Sequence, residues 1–128
     1  MARQLIVFVE NRLGALDELL DVLAEAEVNV EALLLEGSVD FGAARLLVDN
    51  VRKGEKALRD AGYQVQVGEA IVIRMKNEPG ALRSITSRLA KAKVNIQAVF
   101  GTTSEEANEA EFVLMVNDID RAKKALNL

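Results

Sequence analysis

The sequence predicts an α+β protein built from two copies of one β-α-β-β-α-β unit. The first observation is an internal repeat, in which Asn11-Arg12-Leu13-Gly14-Ala15-Leu16 returns 66 positions later as Asn77-Glu78-Pro79-Gly80-Ala81-Leu82. The second is that the register persists, because Val28-Asn29-Val30 matches Val94-Asn95-Ile96. A repeat of this length is a small domain rather than a solenoid unit, so it fixes the architecture before any single motif is considered.

The first copy shows all six elements of the unit. Short β-type runs alternate with segments whose apolar residues recur at helical spacing, and Gly62 stands where a helix C-terminal cap is expected. A hairpin connection is predicted at 37–42. This order of elements is the ferredoxin-like arrangement. The predicted strands are 5–9, 28–36, 44–48 and 63–67, and the predicted helices are 16–26 and 51–61.

The second copy repeats the pattern, with about two extra residues in its hairpin, and the chain ends where its fourth strand should begin. We therefore predict two domains, 1–69 and 70–128, the second without its last strand. Either strand 71–75 is then an edge, which invites pairing with another chain, or another segment covers it. The predicted strands are 71–75, 95–102 and 111–116, and the predicted helices are 81–92 and 118–126.

Composition excludes several classes of protein. The chain has 128 residues, no cysteine, no histidine and a net charge of −4. Disulfides, thiolate metal sites, Ser-His catalysis and the commonest zinc ligand are excluded. The scattered basic residues do not form the stripe that nucleic acids require.

No run is long enough to cross a membrane, and the first residues lack a signal peptide, which favours the cytoplasm. We predict no catalytic residue, no metal and no cofactor.

The predicted back face of the first sheet is unusually apolar. It carries Ile6 and Phe8, and Leu33-Leu34-Leu35 leaves neither face of the second strand polar. Such a face favours burial by the other copy or by a dimer partner. The alternative is an apolar surface tolerated by an isolated monomer.

The turn between the first strand and the first helix carries unusual residues in both copies. In the second copy, Asn77 lies near the expected N-cap, Pro79 suits a first helical turn, and Gly80 permits close backbone approach. Free N–H groups at a helix N-terminus favour a carboxylate, and a nearby Asn carbonyl can accept from an ammonium group, so the turn matches an α-amino acid. The alternative is that Asn-x-Pro-Gly merely starts a helix. For Asn29 and Asn95 a structural role is favoured over ligand contact, because Asn tolerates left-handed backbone and bonds its own turn.

These residues resemble the ACT domain family of small-molecule regulatory modules. The resemblance lies in the strand, the Asn-x-Pro-Gly-x-Leu turn, the helix, and Val94-Asn95-Ile96 opening the next strand, and it covers nearly the whole chain. It implies an amino acid bound between paired ACT units, held by the first turn of one and the second strand of its neighbour. The turn positions so implied are Asn11, Leu13, Gly14, Ala15 and Leu16, and Asn77, Pro79, Gly80, Ala81 and Leu82. Leu13 departs from the pattern, which has Pro there.

The sequence thus predicts a non-catalytic cytoplasmic regulator or sensor that binds an amino acid and forms a homodimer. The second hypothesis is a protein-interaction module, acting as the regulatory subunit of an amino-acid biosynthetic enzyme without a ligand of its own. An RNA-binding domain would need exposed aromatic side chains on its central strands, and the third strands offer just Phe112. The sequence does not name the amino acid.

Overall fold

The computed structural model describes residues 2–128. The chain divides into two compact units. The first comprises Arg3–Gly68, and the second comprises Glu69–Leu128 together with Ala2. Each unit repeats the predicted order of elements, and each has its own core. No helix in the described range is long and apolar enough to cross a membrane.

The first unit has the complete β-α-β-β-α-β order. Its strands lie in the order β2-β3-β1-β4. In β1, Leu5, Val7 and Val9 are buried and alternate with more exposed residues, which is the period of a strand with one covered face. The elements are β1 (Ala2–Glu10), α1 (Ala15–Glu25), β2 (Val30–Gly37), β3 (Phe41–Val48), α2 (Val51–Asp60) and β4 (Val65–Lys76).

The second unit has strands in the order β4-β6-β5, with no strand after α4 in the part of the chain that the structure describes. The prediction that no further strand follows the last helix is therefore confirmed for residues 2–128. In this unit β4 pairs with β6 from Ile71 to Lys76. The further elements are α3 (Ala81–Lys91), β5 (Ile96–Ser104), β6 (Glu109–Val116) and α4 (Ile119–Ala125).

Strand β4 differs from the prediction. The sequence predicts separate strands at 63–67 and 71–75, but the structure has one continuous strand of 12 residues, Val65–Lys76. Gly68 stands where the break was placed. Its backbone is not among the glycines with positive φ, so it continues the strand instead of turning it.

The strand registers of the two units match. In the first, β1 pairs antiparallel with β3 at Leu5↔Leu46. In the second, β4 pairs with β6 at Ile71↔Leu114. The shift is 66 residues on one strand and 68 on the other, as expected from two residues gained in the second hairpin. Both hairpins also have a register irregularity near the start of their first strand, at Val30/Ala32 and at Ile96/Ala98.

Each core lies between the sheet and the two helices of its unit. Leu5, Leu19, Leu46 and Leu58 are fully buried in the first unit. In α2, Gly54 allows close packing on β1, because a Cβ there would lie 3.0 Å from Leu5 Cδ1. The core of the second unit is formed by Ile71, Leu89, Val94, Leu114, Ala122 and Leu126.

Candidate functional site

The predicted binding turn of the first unit leads into the N-terminus of a helix. Helix α1 begins at Ala15, and Gly14 occupies the N-cap position with φ +83°. This backbone conformation favours glycine, and a Cβ at Gly14 would meet nothing within 4 Å. Glycine is therefore required by the conformation and not by a lack of space.

A cavity of about 260 Å³ lies against this turn. Of the five turn residues predicted here, four line the cavity, whereas the Leu13 side chain is 99% exposed and takes no part. The opposite wall comes from the β2–β3 hairpin. We name this space the turn cavity, which is lined by Val9, Glu10, Asn11, Arg12, Gly14, Ala15, Leu16, Asp17, Leu35, Gly37 and Gly42.

Asn11 connects the turn to the β2–β3 hairpin by hydrogen bonds. Its Nδ2 donates to the Ser38 carbonyl at 2.5 Å and lies 3.4 Å from the Val39 carbonyl, while its backbone N–H donates to the Asp40 carbonyl at 2.8 Å. The side chain also lies over Gly37, where a Cβ would approach Asn11 Oδ1 to 3.3 Å. The Asn11 amide is thus oriented with its nitrogen engaged, and its Oδ1 remains an acceptor.

The start of α1 leaves backbone donors without partners. Gly14 makes no side-chain cap, and the N–H of Ala15 donates to the Arg12 carbonyl. Within residues 2–128, the N–H groups of Leu16 and Asp17 donate to no protein acceptor. By contrast, Asn50 caps α2 by accepting from the Lys53 N–H at 3.1 Å. Unpaired N–H groups beside a cavity form an anion-binding surface.

The corresponding turn of the second unit has the same backbone and different surroundings. Gly80 is the N-cap of α3, with φ +86° and no side-chain cap. The expectation that Pro79 enters the first helical turn is wrong, because α3 begins at Ala81 and Pro79 precedes the N-cap. The backbone N–H of Asn77 donates to the Asn108 carbonyl, but its side chain makes no hydrogen bond in the described range. Leu82 is half-buried on the first turn of α3.

Side-chain bulk is distributed differently beside the two turns. In the first unit, Leu35 of β2 pairs with Ala44 of β3. At the equivalent positions of the second unit, Gly101 of β5 pairs with Phe112 of β6. The Phe112 ring covers Gly101 so closely that a Cβ there would collide with it. The position of the Leu35 side chain in the first unit is therefore covered by an aromatic ring in the second.

Arg12 forms an ion-pair network at the rim of the turn cavity. Its guanidinium donates to Glu10 at 2.9 Å and to both oxygens of Glu18, at 2.6 and 3.2 Å. The hydrogen bond from Arg12, with its positive charge, lowers the pKa of Glu18 below the ordinary glutamate value. The same bonds raise the pKa of Arg12, so both groups are charged at neutral pH. The repeat pattern does not indicate a role for Arg12, although its carboxylate partners Glu10 and Glu18 are nearby in sequence.

The two asparagines assigned to left-handed turns adopt another structure. The positive φ values belong to Glu27 (57°) and Lys93 (60°), which follow the C-caps of α1 and α3. The backbone N–H of Asn29 instead donates to Asp49 Oδ1 at 3.0 Å. Asn95 donates in the same way to a carbonyl oxygen of the Asn117 side chain. The prediction of their conformation is wrong, although the contacts are structural.

No cluster suited to a metal ion is found among the described residues. The sequence contains no histidine or cysteine. At the turn cavity, the first unit presents unpaired backbone donors, the carboxamide oxygen of Asn11, carboxylates and an apolar wall. This set can bind a small zwitterion by hydrogen bonds and charge.

Comparison with known proteins identifies the family of the chain. The sequence profile of the family described as "ACT domain pair" matches residues 1–127. Protein BT0572 from Bacteroides thetaiotaomicron is 32% identical, with 98% of this chain and 86% of that chain covered and a TM-score of 0.92. No curated protein sequence matches the chain.

Two more distant structures share the fold. The regulatory subunit of aspartate kinase from Thermus thermophilus, in a ligand-free form, is 14% identical, with 98% of this chain and 90% of that chain covered and a TM-score of 0.73. The corresponding subunit from Thermus flavus is 15% identical, with 99% and 90% covered and a TM-score of 0.66. At this level of identity the likeness concerns the fold alone.

Proposed function

Since the chain belongs to the family of ACT domain pairs, we propose that it is a non-catalytic regulatory protein that binds an amino acid in the turn cavity. The observation that carries the proposal is a contrast among the four helices. Helices α2 and α4 are capped by Asn50 and Asp118, whereas α1 and α3, which follow the repeated turns, have no side-chain cap. The uncapped N–H groups of α1 face a cavity, so a ligand carboxylate can take the place of the missing cap.

The other end of an α-amino acid is an ammonium group, and the turn cavity offers acceptors for it. Asn11 Oδ1 is held in place because the amide nitrogen is bonded to the hairpin. Asp17 and Glu10 add carboxylates to the same lining. An ammonium group beside these oxygens would form charge-assisted hydrogen bonds. The carboxylate and ammonium receivers lie on one turn, which supports an α-amino acid over a simple anion.

The wall of the turn cavity supports an apolar side chain on that amino acid. Leu35, Ala15 and Val9 supply apolar surface, and the volume of about 260 Å³ suits a small or medium-sized ligand. Leu35 remains 42% exposed, so one side of the cavity is open. An aliphatic amino acid would cover this leucine and gain from its burial.

The proposed protein regulates and does not catalyse. The chain lacks histidine and cysteine, which supply most bases and nucleophiles at neutral pH. Binding would act by favouring one conformation or assembly over another, to the extent that the amino acid binds the two with different affinity. A biosynthetic enzyme is the proposed target, by analogy with the aspartate kinase regulatory subunits. We also propose that the protein is cytoplasmic.

Exposed apolar residues around the turn support a homodimer. Leu13 is 99% exposed and Val39, at the hairpin tip, is 86% exposed. Two such residues beside one cavity favour coverage by a second copy of the chain. The same exposure supports the second candidate function, an assembly subunit that has no ligand of its own. The two candidates differ in whether an amino acid stabilises the protein.

The test is a thermal-shift screen with the twenty amino acids. A ligand that binds only the folded protein raises its melting temperature by mass action. We expect a selective rise with an aliphatic amino acid, reproduced by calorimetric titration. Gly14→Asp should abolish the rise, because it places a carboxylate at the helix N-terminus where the ligand carboxylate would bind.

Gly80→Asp is the matched control, since Gly80 has the same backbone conformation in the second unit. It should leave the response of the turn cavity unchanged. A flat response at millimolar concentrations, with the protein folded, would reject the amino-acid sensor and leave the assembly subunit. If the screen does identify an amino acid, sedimentation measured with and without it tests whether assembly depends on that ligand.

A further inference from the structure

A second and larger cavity of the first unit concentrates aromatic side chains. Its volume is about 460 Å³, and it lies among the end of β1, the start of α1 and the turn from α2 into β4. The chain has four phenylalanines, one tyrosine and no tryptophan. Phe8, Phe41 and Tyr63 all line this space, which we name the aromatic cavity. More than half of the aromatic side chains of the protein thus meet in one place.

These rings are accessible from the cavity. Phe8 is 43% exposed and Phe41 is 62% exposed, although both belong to strands of the sheet. Tyr63 packs partly against the core. Burial, followed by the negative charge of Glu18, raises the pKa of Tyr63 above its ordinary value. The phenol is therefore neutral at physiological pH and presents a π face, not an anion.

The polar wall of the aromatic cavity carries an excess of negative charge. Glu10, Arg12 and Glu18 all line it, and the single guanidinium pairs with both carboxylates. One unit of negative charge remains. Arg12 binds Glu10 through Oε2, and Glu10 Oε1 receives no hydrogen bond within residues 2–128. That oxygen is an available acceptor for a cationic donor.

The second unit is a natural comparison for these positions. The repeated turns keep Asn, Gly, Ala and Leu, but the residues around the aromatic cavity are replaced, often by the opposite charge. Phe8 corresponds to Arg74 and Glu10 to Lys76. The remaining counterparts of Arg12, Glu18 and Phe41 are Glu78, Ser84 and Glu109. Phe8 and Phe41 thus have no aromatic counterpart in the second unit.

We propose that the aromatic cavity binds a small organic cation, a primary ammonium group carried on an apolar chain. Aromatic faces attract a cation through their quadrupole, and Glu10 Oε1 accepts a hydrogen bond from the ammonium group. The rings also bury the apolar chain of the ligand. An anion would be repelled by the residual negative charge. The aromatic cavity shares Val9, Glu10, Arg12 and Ala15 with the turn cavity, but its ligand differs from the amino acid proposed there.

Tyr63 provides a reporter for the experiment. Because it is the only tyrosine and the chain has no tryptophan, intrinsic tyrosine fluorescence reports on the aromatic cavity without a label. The full chain is titrated with n-butylamine hydrochloride, with n-butanol and sodium butanoate as controls of similar shape. We expect saturable binding of the amine, about tenfold tighter than the alcohol, and no binding of the carboxylate.

Variants separate the proposed contacts from general effects. Phe41→Leu keeps an apolar side chain and removes the π face, so amine affinity should fall about threefold or more. Glu10→Gln should weaken binding about tenfold, since it removes the charge of the acceptor. Glu109→Gln, at the position equivalent to Phe41, is the matched control and should leave amine affinity unchanged.

Equal affinity for the amine and the alcohol would overturn the proposal, as would no saturable change in fluorescence. A lower sedimentation mass for Phe41→Leu with unaltered amine binding would also overturn it, by assigning the aromatic side chains to an interface between copies of the chain. The melting temperature of each variant verifies folding. Failure of the amino-acid screen does not affect this result, because the ligand and the reporter differ.

Discussion

The ring of Phe112 lies over the backbone of Gly101 on the neighbouring strand. In the first unit, the equivalent pair is Ala44 and Leu35. The larger side chain of this cross-strand pair therefore lies on the first strand of the hairpin in one repeat and on the second strand in the other. An aromatic side chain over a strand glycine stabilises the strand and also fills the space beside it. The exchange gives two units of the same fold different side-chain packing near the repeated turns.

The difference between the two units predicts that each chain binds one amino acid, in the first unit. The turn cavity of the first unit is bordered by Leu35, whereas the equivalent region of the second unit is covered by Phe112. Isothermal titration with the amino acid found in the thermal-shift screen should give a stoichiometry of about one per chain. Gly14→Asp should eliminate this binding, and Gly80→Asp should leave it intact. Two equivalent sites per chain would contradict the prediction.

Gly101→Ala should destabilise the protein. A Cβ at Gly101 would lie 2.5 Å from the Glu111 carbonyl oxygen and would collide with the Phe112 ring. The side chain can move, but the backbone carbonyl belongs to the strand pairing. We expect a loss of about 2 kcal/mol in the free energy of unfolding, measured by urea denaturation.

Gly68→Ala is the control for that substitution. It also adds a methyl group to a strand glycine, but its nearest neighbour would be Ile6 Cδ1 at 3.6 Å, an ordinary contact. Its stability should be unchanged or higher by about 0.5 kcal/mol, because alanine restricts the unfolded chain. Equal losses in both variants would show that the cost is a general property of these strands.

The fold was predictable because the information that defines it is local and duplicated. The repeated Gly14 and Gly80 mark the same junction, and each indeed has a positive φ. The continuous β4 was not predictable, since Gly68 is compatible with both a turn and a strand. The conformation of Asn29 was assigned from propensity, but Asp49 provides the contact that fixes its backbone. A tertiary contact thus decided the conformation of Asn29.

The location of the candidate site was predictable in part. The turn residues could be named because they recur, and four of those in the first unit line a cavity. The aromatic cavity was missed because Phe8, Phe41 and Tyr63 are distant in sequence and meet only in the folded unit. A position-by-position comparison of the two repeats would have indicated this site, because Phe8 is aligned with Arg74 and Glu10 is aligned with Lys76. The aromatic cavity is thus indicated by sequence differences between the two repeats, whereas the turn is indicated by sequence that they share.

The cap of α4 should contribute measurably to stability. Asp118 Oδ1 accepts from the Arg121 N–H at 3.0 Å, and the carboxylate also lies 3.6 Å from the Arg121 guanidinium. Asp118→Ala should lower the free energy of unfolding by about 1 kcal/mol, since it leaves a backbone donor unpaired. Asp118→Asn retains an oxygen acceptor and should lose much less. Chemical denaturation of both variants distinguishes the cap from the ion pair, because an equal loss in both would assign the effect to charge.

The ion pair of Arg12 with Glu18 should make stability depend on acidic pH. The folded-state pKa of Glu18 is lowered by the hydrogen bond and charge of Arg12. Its contribution is therefore fully present above the unfolded-state pKa of about 4.3, and it is lost as the pH falls through the lower folded-state value. Glu18→Gln removes this contribution at all pH values.

Urea denaturation at about pH 7 and at about pH 3 measures the effect on either side of that range. The parent protein should lose more stability between these pH values than Glu18→Gln does, and the difference should shrink in high salt because the pair is exposed. Glu25→Gln is the control, since Glu25 forms no ion pair within the described chain, and it should behave like the parent protein. If Glu18→Gln has the same pH dependence as the parent, the pair does not stabilise the fold, and the turn is held by Asn11 and the hairpin instead.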